Sequence, residues 1–149
     1  EQLPKYAKVA HKTGSSGKND AGLTGAENDI AIITLPNGKW SVQVTMLANT
    51  QTDIANDDVI WMRTGFSTSS TANQMASGSA IVGPSLVSGL IRDNNKYTML
   101  TGTIIINNTS GGDVTYYYWL FNCDYETATF QSLARNVWGE NSIVAYPMN

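Results

Sequence analysis

Trp40-Ser41-Val42-Gln43-Val44-Thr45-Met46 places an apolar side chain at every second position and a polar one between. Successive side chains of a strand point to opposite faces, so this stretch has one apolar face and one wet face. It follows Pro36-Asn37-Gly38, a turn signal in which Pro fixes φ and Asn-Gly accepts positive φ. Before the turn, Ile30, Ile32, Ile33 and Leu35 form another short apolar run. Strand, turn, strand is the unit from which the rest of the chain is read.

Working outward, the same texture recurs. Asn49 to Asp58 reads as a polar loop and Val59 to Phe66 as a strand. Ile81, Val82, Leu86 and Val87 suit short strands in a stretch of small residues that runs to Gly89. Tyr97, Met99 and Leu100 lead into Thr103-Ile104-Ile105-Ile106, and Asn107 to Asp113 reads as a loop around Gly111-Gly112. Val114 to Phe121, Thr127 to Leu133 and Ile143 to Tyr146 complete the series, with room for one helical turn within Ser132 to Trp138. The expectation is an all-β fold: an antiparallel jelly-roll sandwich of about eight strands. Thr103–Ile106 and Tyr116–Phe121 are apolar on both faces, which calls for a cover on the outer face; identical subunits are the simplest one.

Composition agrees with strands. Only 14% of the 149 residues are charged, and the polar remainder is mostly Asn, Ser, Thr and Gly, where helical surfaces would need Glu, Lys and Arg. The single Cys123 has no internal partner and lies in an aromatic run, as a buried thiol does. No apolar stretch reaches the roughly 20 residues of a membrane-spanning helix. The first 28 residues differ from the rest. They are Gly- and Ser-rich, and Lys5, Lys8, Lys12 and Lys18 against Glu1 give residues 1–18 a net charge of +3, while the remainder carries −6. Residues 1–28 are therefore read as an extended basic N-terminal arm whose four lysines serve assembly, and residues 29–149 as the sandwich domain. The body is acidic and lacks a basic stripe, which argues against nucleic acid as a partner. A first residue Glu1 rather than Met fits a processed chain or a piece of a longer one.

Catalytic equipment is sparse. His11 is the sole His and lies in the arm, so a Ser-His-Asp or Cys-His arrangement is not expected. One His and one Cys are too few for a zinc site. Asp53, Asp57 and Asp58 are rich in oxygen but match no calcium loop. Asp124 and Glu126 can share a strand face, whereas adjacent Asp57 and Asp58 cannot. Gly111-Gly112 lacks the Lys and helix start of a phosphate loop. On these grounds no enzyme, metal or cofactor is expected. Aromatic side chains beside amides are the remaining binding candidates: Trp138 with Asn136, Glu140 and Asn141, and Trp61 beside the Asn49–Asp58 loop.

Leu35-Pro36-Asn37-Gly38-Lys39-Trp40-Ser41-Val42 resembles the turn-then-aromatic strand of tumour necrosis factor-like and complement globular-head jelly rolls. Thr103–Ile106 followed by Gly112-Asp113-Val114, and the closing Trp138-Gly139-Glu140-Asn141-Ser142-Ile143-Val144-Ala145-Tyr146, resemble the hairpin and final core strand of that family. The resemblance implies a homotrimer. The Asn/Thr/Ser/Gly texture is similar to that of virion proteins of tailed bacteriophages, which implies a place on the virion surface. The leading expectation is then the head of a phage fibre or spike, binding a host cell-surface glycan or protein receptor. Its rivals are a capsid decoration protein whose basic arm grips the shell, and a monomeric carbohydrate-binding module.

Overall fold

The structure, a computed structural model, describes residues 2–6, 8–9, 12–13, 29–50, 58–69, 80–124, 130–133 and 139–148. Twelve strands lie among them: β1 (Lys5–Tyr6), β2 (Lys8–Val9), β3 (Lys12–Thr13), β4 (Asp29–Leu35), β5 (Gly38–Thr50), β6 (Ile60–Ser67), β7 (Ile81–Val82), β8 (Leu86–Ile91), β9 (Tyr97–Asn108), β10 (Val114–Asp124), β11 (Phe130–Leu133) and β12 (Ser142–Met148). All their pairings are antiparallel. The all-β sandwich expected from the alternation is the fold. The strand count exceeds the expected eight or so, chiefly because the N-terminal arm supplies three two-residue strands.

Two sheets face each other. One contains β1, β3, β5, β7, β9, β11 and β12, and the other contains β2, β4, β10, β6 and β8 in that order. β5 is the axis of the first. One of its edges pairs with β9 from Gly38↔Asn108 to Asn49↔Tyr97. Its other edge is shared: β12 pairs with Lys39 to Thr45, and β11 with Ala48 to Thr50. Leu47 lies between these two partners, and its backbone N–H donates instead to Asn141 Oδ1 at 2.8 Å.

The period-two stretch behaves as its alternation requires. Trp40, Val42, Val44 and Met46 are buried, and so are Leu100, Ile104 and Ile106 beside them on β9. Ala31, Ile33 and Leu35 of β4, Met62 and Phe66 of β6, and Tyr116, Tyr118 and Leu120 of β10 meet them from the other sheet. These strands form because each hides one row of apolar side chains in a shared interior, at roughly 25 cal/mol per Å² removed from water. On the other face of β10, Trp119 is also buried, and its indole N–H donates to the Ser69 carbonyl at 3.2 Å.

Pro36-Asn37 is a turn as expected, but it connects the two sheets: β4 lies in one and β5 in the other. The corner is held by four hydrogen bonds. Trp40 Nε1 donates to Pro36 O at 3.0 Å, Gln2 Nε2 to Asn37 O at 3.2 Å, Gly111 N to Asn37 Oδ1 at 3.0 Å and Asn108 Nδ2 to Leu35 O at 3.0 Å. Gly38 has φ of 128°, a conformation that costs glycine little and other residues a great deal.

Two boundaries differ from the sequence reading. Asn49 and Thr50 belong to β5 rather than to a loop, because β9 and β11 extend that far and Thr50 N donates to Lys96 O at 2.9 Å. Tyr97 to Asn108 is one continuous strand, so the following loop begins at Thr109. The expected strand over residues 127–129 and the expected helical turn beyond Leu133 lie outside the described residues.

Candidate functional site

The sequence-derived binding residues formed two separate clusters, and the structure describes Trp61 of one and Glu140 and Asn141 of the other. Trp61 is on β6, 36% exposed, with the Arg63 guanidinium 5.8 Å from its ring centre. Glu140 is exposed in the turn before β12, on the opposite sheet. Asn141 is committed to the β5 backbone through Leu47 N. Trp138 and Asn136 lie outside the described residues, as do His11, Lys18, Asp53 and Asp57. Asp58 is buried, and its Oδ1 accepts from Val59 N at 2.8 Å.

Three lysines of the arm, Lys5, Lys8 and Lys12, sit in strands that pair within this same chain. Lys5 is opposite Ala145 of β12, Lys8 opposite Ile32 of β4 and Lys12 opposite Leu133 of β11. β3, which carries Lys12 and Thr13, is the outermost strand beyond β11 among the described residues, with Thr13 opposite Ser132. A strand in that position offers backbone N–H and C=O groups to an extended partner. A Lys ammonium and a Thr hydroxyl are in turn suited to a carboxylate.

A second feature is a cleft of about 210 Å³ at the end of the sandwich, lined by Thr68, Ala80, Asn107, Ser110, Val114 and Tyr116, with Asn108 and Thr109 between. Asn108 shapes its rim: Nδ2 donates to Leu35 O at 3.0 Å and Gly112 O at 2.7 Å, and Oδ1 accepts from Ser110 N at 3.0 Å. β5 joins the two features, with the cleft near its Gly38 end and β11 and β3 near Ala48–Thr50. At about 3.4 Å per residue they are roughly 35–40 Å apart along the strand.

Comparison with known proteins bears on the β3 region. The model of the beta-lactamase enzyme family matches residues 1–63. Beta-lactamase VEB-1 of Pseudomonas aeruginosa is 45% identical over 60 residues, 40% of this chain and 20% of that protein. A beta-lactamase of Bacteroides uniformis is 37% identical over 59 residues, 39% of this chain and 20% of that protein. The chain thus spans about a fifth of the length of the curated relatives it matches.

These matches overturn the resemblance to jelly-roll heads of virion proteins. Leu35–Val42, the motif that opened that resemblance, lies inside the segment similar to beta-lactamases. The fibre or spike head, the decoration protein, the carbohydrate-binding module and the virion-surface location fall with it. So does the expectation of no enzyme, because the relatives are bacterial hydrolytic enzymes by name. The signal that the sequence reading passed over is Lys12-Thr13-Gly14. K-T-G is one of the three short motifs, with S-x-x-K and S-D-N, of class A β-lactamases and penicillin-binding proteins. Composition had absorbed it into a Gly/Ser arm.

Proposed function

We propose that this chain carries the K-T-G segment of a β-lactamase-type serine hydrolase, with a β-lactam as substrate class. The observation that carries the reading is the match over residues 1–63 with Lys12-Thr13-Gly14 inside it. The position of β3 at a sheet margin supports it, because an extended amide can lie alongside such a strand while a cationic and a hydroxyl side chain hold its carboxylate. Of the companion motifs, the S-x-x-K spacing occurs at Ser15–Lys18, and S-D-N does not occur in these 149 residues. The proposal therefore assigns recognition to the K-T-G segment and leaves the acylated serine to be located chemically.

The test is hydrolysis of a chromogenic cephalosporin by the purified chain, paired with mass mapping after exposure to penicillin. Turnover is expected, together with a serine-linked penicilloyl adduct. Lys12→Ala is expected to lower kcat/KM by about 10–100-fold, the worth of a hydrogen bond to a charged group. Lys12→Arg, which keeps the cation, should recover part of the loss. Turnover at the buffer rate with no adduct would overturn the reading.

A further inference from the structure

The cleft at the end of the sandwich holds a second feature that the β3 region does not use. Tyr116 is only 2% exposed and lines this cleft. Its phenolic oxygen has no hydrogen-bond partner among the described residues. Buried tyrosines place the hydroxyl on a partner, and an unpaired buried polar group is costly, so an orphan at a cavity wall marks where an outside atom belongs. Burial raises the Tyr116 pKa above the ordinary tyrosine value, which keeps the group a neutral donor. The rest of the wall divides by chemistry. Asn107, Ser110 and Thr68 offer an amide and two hydroxyls, Ala80 and Val114 offer methyl groups, and no lining side chain among the described residues carries a charge.

We propose that this cleft is a binding site for a small uncharged amide, whose carbonyl oxygen accepts the hydrogen bond of Tyr116 and whose alkyl part lies against Ala80 and Val114. A carbonyl oxygen is the natural acceptor for a phenol O–H. An anion would find no cation among the described residues of the wall, and a purely apolar ligand would leave the phenol unpaired. Roughly 35–40 Å of β5 separates this cleft from β3, so occupancy here is independent of the K-T-G segment.

The test titrates isotope-labelled protein with N-acetylalanine methylamide and follows the backbone amides of Asn107, Ser110, Gly111 and Val114. Saturable shifts confined to these residues are expected. Tyr116→Phe should weaken binding about five-fold, the worth of one neutral hydrogen bond, without moving resonances elsewhere. Thr68→Tyr, at an exposed position, should block the mouth and abolish binding while Tyr116 remains. The anion of N-acetylalanine should bind more weakly than the neutral amide. Shifts that fail to saturate, equal affinity in Tyr116→Phe, or preference for the anion would each overturn the proposal.

Discussion

Tyr116 and Tyr118 are two residues apart on β10, face the same interior and are both buried, yet their hydroxyls meet opposite circumstances. Tyr118 lies in mid-sandwich. Its ring packs on Phe66 with centroids 5.3 Å apart, and its oxygen is hydrogen-bonded to the Thr64 hydroxyl. Thr64 donates its own proton to Val87 O at 2.7 Å, so Tyr118 is the donor in the pair. The result is a closed chain from phenol to hydroxyl to carbonyl. Tyr116, one step toward the sandwich end, has the cleft where Tyr118 has Thr64. A closed polar chain specifies one packing of the interior, whereas an unpaired donor at a cavity wall leaves room for a ligand.

The contrast can be broken at several points. Phe66→Ala removes the ring against Tyr118 and opens a cavity in the closed region, with an expected loss of about 3–5 kcal/mol in denaturant unfolding. Thr64→Val keeps the shape but strands the Tyr118 hydroxyl, and should cost about 1–3 kcal/mol by the same measurement. Alkaline titration provides a third check. Burial raises the Tyr118 pKa, partly opposed by the Thr64 hydrogen bond, and burial also raises that of Tyr116. The unfolded chain loses these protons near the ordinary value of about 10, while the folded chain retains them. The folded state then binds more protons, so the stability from neutral burial is complete below that pH and falls as pH rises above it. Phenolate absorbance of the two tyrosines should appear last and together with loss of the fold. The smallest effect is expected at Tyr116→Phe, within about 0.5 kcal/mol of the parent, since no protein hydrogen bond is lost. A loss as large as that of Thr64→Val would erase the distinction between the two tyrosines.

What the sequence disclosed follows the range of the forces involved. The row Trp40, Val42, Val44, Met46 was legible because alternation is local, and all four are at most 2% exposed. The continuation of β5 through Asn49 and Thr50 was not, because two polar residues join a strand only when distant partners reach them, here β9 and β11. Gly102 is similar. It resembles a break inside β9, yet it is a point where the sheets come close, since a Cβ there would stand 3.0 Å from Val87 Cγ2. The Pro36-Asn37 turn was legible as a turn but not as a passage between sheets, for turn chemistry fixes dihedrals and not the strands that flank them. Lys12-Thr13-Gly14 was in plain view, and a reading by composition had no means to weigh a three-residue motif. Asn141, read as an amide beside Trp138, accepts from a backbone N–H left between two strands, a partner that only the fold brings to it. Tyr116 was read only as part of the apolar run Tyr116–Phe121, because in sequence it is one of three consecutive tyrosines.

The sharing of one β5 edge between β12 and β11 has a consequence for biosynthesis. Lys5 and Tyr6 wait for Ala145 and Val144, and Lys39 to Thr45 for Met148 to Ser142. A ribosome delivers these partners roughly 100–140 residues apart at roughly 5–20 residues per second. During those seconds the apolar face of β5 lacks its neighbour, in a chain whose contacts are mostly distant in sequence and which is therefore slow to fold. Protection by a chaperone should matter most in the interval between emergence of Thr50 and arrival of Ser142.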